Sequence, residues 1–240
     1  MTAASVTSPS PKFARASRSK SRASSRSPRP SAGQVRLRLG ALGLSPLGVQ
    51  AVATVDSVGP EVVGFASGDR VAMREADSRA GFQRVVSERE LIGIPRDVSF
   101  DAAAAYLASG LVARTVLKQL NSVGRGNRVY VTPDRSGAHT VVAALAEHLG
   151  AVVVDGAEQA AADVTITPAD YRAAEKWRYG PGLAQLAASD VFQAIREGAF
   201  DGVDVERLPL AEAARAMSEL EAKQSTRTVV LLPGSTSLAA

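Results

Sequence analysis

The chain has 240 residues, 45% of them hydrophobic and 22% charged, the balance of a globular protein with room for one large or two small domains. It contains no cysteine and two histidines, which excludes a disulfide framework, a cysteine nucleophile and thiolate metal sites, and leaves no metal centre expected. No run of about 18 apolar residues is apparent, so no membrane-spanning helix is expected, and the 5% aromatic content argues against a base-stacking surface.

The formal charge of +4 divides unevenly. Residues 1–33 hold Lys12, Arg15, Arg18, Lys20, Arg22, Arg26 and Arg29 and no acid; removing these seven from 28 bases leaves 21 against 24 acids, a body of net charge −3. The excess of base therefore belongs to a Ser/Arg/Pro-rich segment too poor in apolar residues to offset its ordering entropy. A disordered tail over 1–33 is the reading of that composition. A transit peptide, an arm for an anionic partner and a mis-assigned start are alternatives. Nucleic acid is a partner only through this tail; a cytoplasmic protein is expected, an organellar one if the tail is a transit peptide.

Order is expected from Gln34. Gln34-Val-Arg-Leu-Arg-Leu39 alternates as a half-buried strand does, with a break at Gly40, Gly43 and Ser45-Pro46. Val49–Val58, the strand after the Phe65–Met73 turn, Phe82–Val86 and Leu91–Ile94 follow as short strands with Gly/Pro punctuation, a small β-barrel pattern. After Ser99, a capping residue, Ala102–Leu120 reads as a helix. Arg128–Thr132, a helix from about His139 to Leu149 and Ala151–Val154 form a strand–helix–strand unit, which implies a parallel sheet. Asp163–Ile166 is a candidate third strand and 171–182 is ambiguous. A helix over Leu183–Glu197 carries Leu183, Leu186, Ala187, Val191, Ala194 and Ile195 as its apolar stripe. A helix over Pro209–Lys223 and a strand over Thr228–Leu232 close the chain.

Several segments in this order resemble one family. Val58-Gly59 with Gly68-Asp-Arg-Val71, Pro95–Ala104, Ser109-Gly-Leu-Val-Ala113, Val123–Val131, Leu145–Ala151, Leu208–Ala214 and Val229–Pro233 resemble the medium-chain dehydrogenase/reductase superfamily, and within it the zinc-independent quinone oxidoreductases (zeta-crystallin-like). The resemblance implies a mixed α/β chain: a GroES-like β-barrel with its interdomain helix over 34–120, a truncated Rossmann-like sheet over 121–182, and helices and a strand over 183–240 that return to the barrel. It also implies hydride transfer from NADPH to a quinone or another activated alkene, and a homodimer.

The departures from that family are specific. A run of glycines lets backbone approach a pyrophosphate at a helix N-terminus; here the aligned residues are Ser136-Gly-Ala-His139, with Gly137 alone retained. The middle of the nucleotide domain is missing. Ser45 and Gly48 stand where the family has its Asn and Asp. Candidate cofactor residues are Thr132, Arg135, Ser136, Gly137, Ala138 and the strand-ending Asp155, an acid placed for a ribose, at a degenerate NADPH site. Ser45 and Tyr106 are candidates for the substrate cleft. His139 and His148 lie nine residues apart on one helix and cannot chelate one metal. The alternative function is a non-redox descendant: a cofactor-free binding or scaffold protein, or a cyclase/dehydratase-like enzyme reusing the cleft.

Overall fold

A computed structural model describes residues 29–73, 83–134, 136–177, 179–222 and 227–233. Arg135, Lys223 and residues 1–28 lie outside these. Folding onto the body begins before Gln34: the Gly33 N–H donates to the Pro60 carbonyl at 2.7 Å and the Gln34 N–H to that of Ser31.

The first strand, β1 (Gln34–Ser45), does not break at Gly40 or Gly43 as its glycines suggested. It continues through both, bent by irregularities between Arg36 and Leu37 and between Leu39 and Ala41. A two-residue turn, Pro46-Leu47, leads into β2 (Gly48–Val58), and β3 (Arg70–Met73), β4 (Gln83–Ser87) and β5 (Leu91–Gly93) follow. The bend lets one edge of β1 serve two partners: residues 34–38 pair with β4, and 42–44 with the last strand.

Ser99 caps α1 (Phe100–Arg114), its Oγ accepting the Ala102 N–H at 3.0 Å, and Asp101 sits in the first turn. A wider π-helical turn, Thr115–Leu120, extends the helix. Contrary to the sequence reading, Phe100–Leu120 is long and apolar enough by composition to cross a membrane. Its apolarity answers to protein on several sides, since Leu107, Ala113, Val116 and Leu117 are fully buried. Gly43 belongs to this packing: a Cβ there would lie 1.8 Å from the Ala104 carbonyl oxygen, so only glycine lets β1 reach α1.

The second half begins with β6 (Arg128–Val131), α2 (Ala138–His148) and β7 (Val152–Val154). Then come β8 (Val164–Ile166), α3 (Pro168–Glu175) and α4 (Pro181–Arg196). Helix α3 runs into the stretch read as ambiguous; Thr167 and Asp170 form a capping box around Pro168 at its start. The buried face of α4 is Ala184, Ala187, Ala188, Val191, Phe192 and Ala194; Leu183 and Leu186, expected in the stripe, are 62% and 64% exposed. Small residues take the inner face because α4 lies close on α1, where a Cβ on Gly110 would meet Val191 Cγ1 at 2.5 Å.

A strand the sequence reading missed, β9 (Val205–Pro209), precedes α5 (Ala213–Glu221) and β10 (Thr228–Leu232), so the helix expected from Pro209 starts later. Strand β9 pairs in parallel with β10, α5 being the crossover between them.

Two sheets result. One has the order β5-β3-β2-β1-β10-β9 with β4 also on β1; the other is parallel, β7-β6-β8. Leu37, Leu44, Val55, Val71 and Leu231 fill the interior of the first, closed by Ala216 and Met217 of α5. A second core runs from Ala41, Val52 and Ile92 on the outer face of that sheet through α1 to Val129, Leu145, Ile166, Val191 and Phe192.

Candidate functional site

In the parallel sheet β7 and β8 flank β6 on opposite sides. Chain growth thus reverses at β6, and the crevice outside the carboxyl ends of β6 and β8 is a topological switch point, where open α/β sheets bind ligands. The loops leaving those two strands lead into α2 and α3. Between them and the Ser45–Gly48 hairpin is a cavity of about 1110 Å³, walled by Pro46, Leu47, Ile92, Leu111, Val112 and Ala184 and by Ser45, Gln50, Asp134, Ser136 and Tyr171. A second cavity of about 730 Å³ shares Ser45 and Asp134 and adds Gly137, His139, Ser109 and Asp204.

Hairpin and helix fit each other at the site. Leu47 is buried at the hairpin tip, and a Cβ on Gly48 would stand in ordinary contact with Ala108 of α1. The Ser45 hydroxyl donates to the Gly48 carbonyl at 3.0 Å and so closes the turn, while the residue lines both cavities. Gln50, which sequence reasoning did not select, is buried on the wall and donates to the carbonyls of Ala51 and Met73.

The loop after β6 carries most of the expected cofactor residues. Gly137 has φ +76° and turns the chain into α2, a conformation glycine adopts without strain. The Ser136 Oγ accepts the Ala138 N–H at 3.2 Å, acting as a local cap, and donates to Asp134 Oδ2 at 2.5 Å. His139 Nδ1 lies 3.0 Å from Asp134 Oδ1. Burial works against the charge on Asp134, but the hydrogen bonds with Ser136 and His139 outweigh it and hold this carboxyl below its ordinary range. An ionised carboxylate is therefore fixed in the loop, a feature the sequence reading did not weigh.

Other candidates are placed elsewhere. Thr132 donates its N–H to the Ile166 carbonyl and lines neither described cavity. Asp155 ends β7, and its carboxylate caps the following turn by accepting the N–H groups of Ala157 and Glu158. Arg135 falls outside the described residues. Tyr106, expected in the cleft, is instead stacked on Phe200 with ring centroids 5.1 Å apart; burial pushes its hydroxyl up, and it lines neither described cavity. His148 meets Glu197 at 3.4 Å, away from His139, as two residues on different faces of α2 must. Tyr171, Trp177 and Tyr179 line the larger cavity and were not selected from sequence; their signal is position, since they follow the second strand of the switch point.

No family model matches the chain. It is 31% identical over 149 residues to a 2-haloacrylate reductase of a Burkholderia species, covering 52% of this chain and 45% of that protein. It is 29% identical over 111 residues to a quinone oxidoreductase of Pseudomonas aeruginosa, 46% of this chain and 34% of that one. The chain thus spans less than half the length of these curated relatives. The structure of an Escherichia coli quinone oxidoreductase complexed with NADPH superposes with a TM-score of 0.67 at 15% identity, taking in 86% of this chain and 94% of that one. The chain, shorter than these neighbours, shares the fold of the quinone oxidoreductases and is similar in sequence to part of the curated relatives. The shortening is internal, because a span of 86% of this smaller chain reaches across 94% of the larger neighbour. By this likeness of fold the first sheet corresponds to a GroES-like barrel and the second to a Rossmann-like sheet, with three strands among the described residues.

Proposed function

We propose that this quinone oxidoreductase-like chain is an NAD(P)H-dependent oxidoreductase of the quinone/enoyl reductase type, acting on a quinone or another activated alkene. The observation that carries the reading is the larger cavity, which opens at the switch point of the parallel sheet and is closed on its other side by the barrel hairpin. That placement brings the residues following β6 and β8 together with an apolar wall suited to a small planar acceptor.

The loop fits a dinucleotide in its backbone. Gly137 makes the turn, and Ser136 and Ala138 at the start of α2 line the cavity; these residues would hold the pyrophosphate. When bound, NADPH supplies the hydride. The chain's own contribution is to orient the acceptor against Leu111 and Val112 and to keep water from it behind Pro46 and Leu47. Asp134 weakens the phosphate position by like charge, so the affinity is expected to be low for the family. A homodimer and a cytoplasmic location belong to the same proposal.

The fixed Asp134 carboxylate favours the second reading, a non-redox descendant that binds a small molecule without cofactor or performs cyclase/dehydratase-like chemistry. Oxidation of NADPH by the purified protein, followed spectrophotometrically with naphthoquinone and with cyclohexenone as acceptors, separates the two. Turnover with either supports the reductase; acceptor binding without NADPH oxidation moves the assignment to the second reading.

A further inference from the structure

His139, the second residue of α2, stands in the wall of the second cavity with its side chain 29% exposed. Its Nδ1 lies 3.0 Å from Asp134 Oδ1 and 3.3 Å from the Asp134 backbone nitrogen, and it can serve only one of them. The carboxylate is the nearer partner and carries charge, so a charge-assisted hydrogen bond places the ring proton on Nδ1. Nε2 then holds the lone pair. It makes no hydrogen bond among the described residues and is not one of the polar atoms closed to water.

An imidazole that donates its other ring proton to a carboxylate is the more basic for it, and the carboxylate meets the positive charge when Nε2 takes a proton. Asp134 is in turn fixed by the Ser136 hydroxyl. The rest of the cavity decides where the proton comes from. The hydroxyls of Ser45, Ser109 and Thr140 along its wall each donate to a backbone carbonyl. No side-chain hydroxyl of the described residues is bonded to His139, so the arrangement is not that of an activated nucleophile. The proton must come from what the cavity holds. Besides Asp134, the charged groups on this wall are Asp204 and Arg227, which meet each other at 3.3 Å. The remaining negative charge favours a neutral occupant, and Leu47, Val141 and Val203 give it apolar surface.

We propose that His139, positioned by Asp134, is a general base that removes the proton beside the carbonyl of a small neutral ketone held in the second cavity. The C–H bond breaks, its proton passes to Nε2, and its electron pair forms the enolate, with charge on the carbonyl oxygen. Return of a proton to the carbon reverses the step, which needs no oxidant or reductant. This activity goes beyond the reductase reading and does not rest on a dinucleotide.

The test uses the full chain without dinucleotide. In deuterium oxide the wild type is expected to exchange the hydrogens beside the carbonyl of hydroxyacetone or cyclohexanone, seen as loss of their proton NMR signals above the protein-free rate. His139→Gln is expected to lose about 100-fold of the protein-dependent rate. Nitrogen NMR at mildly alkaline pH, with the His148 signals assigned through His148→Gln, is expected to show the His139 ring proton on Nδ1 in the wild type. In Asp134→Asn it is expected on Nε2, with exchange slowed alongside. A wild type that exchanges neither ketone overturns the proposal. So does equal exchange by His139→Gln, and so does a wild-type ring protonated on Nε2; the wild-type measurements decide even where a variant fails to fold. Failure of the reductase reading appears separately, as absent NADPH oxidation with ketone exchange intact.

Discussion

The barrel sheet and the parallel sheet of this protein reach stability by different means. In the barrel, strands β1 and β2 pair along most of their length, and the interior is closed by the sheet's own side chains with α5 as a plug. The parallel sheet has three strands of three or four residues, too little to stand alone. It persists because Val129, Leu145 and Ile166 continue a core that passes through α1 and α4 to the outer face of the barrel. A parallel sheet this small is therefore tolerated where it shares its core with the neighbouring barrel.

That comparison can be broken most forcefully where the two regions meet. Gly43→Val drives a side chain into the Ala104 backbone and is expected to cost about 3 kcal/mol or more, read by thermal or urea unfolding. A near-neutral result would mean that α1 is not seated on β1 as described. Phe192→Ala empties a fully buried site in the shared core and should cost about 3–5 kcal/mol. Because that core spans both sheets, the variant should still unfold in one transition by every probe; two separated transitions would show the parallel sheet to be an independent unit.

Smaller effects sharpen the account of the loop after β6. The Asp134 carboxyl titrates below its unfolded value of about 3.9, so its stabilisation is complete above that value and is lost as pH falls through the folded one. Wild-type protein should lose melting temperature more steeply than Asp134→Asn below about pH 4. Parallel curves would mean that the carboxylate contributes nothing there. Smallest of all, Arg207→Ala removes a largely exposed pair with Asp101 and should change stability by less than about 1 kcal/mol in a denaturant titration.

The alternation of Gln34–Leu39, the Ser99 cap and the strand–helix–strand unit around α2 were legible in sequence because each is a local signal. The continuation of β1 through Gly43 was not, since the glycine answers to Ala104, a residue in another element. Strand β9 was hidden because it lies at the sheet edge with a half-exposed pattern and ends in Pro209. The apolar stripe of α4 was misphased for a related reason: close approach to Gly110 selects alanines and leaves Leu183 and Leu186 outside. At the site, Ser45, Ser136, Gly137 and Ala138 stand on cavity walls, and each could be found from its place after a strand or in a turn. Tyr106 could not be judged, because its stacking partner Phe200 comes from a distant part of the chain.

The reductase proposal requires a dinucleotide position beside the cavity in this shortened fold. Titration of the purified chain with NADPH, followed through Trp177 and by calorimetry, tests it most directly. Saturable binding in the micromolar range, tightened in Asp134→Asn, is the predicted result; absence of binding by both proteins up to millimolar concentration would contradict it.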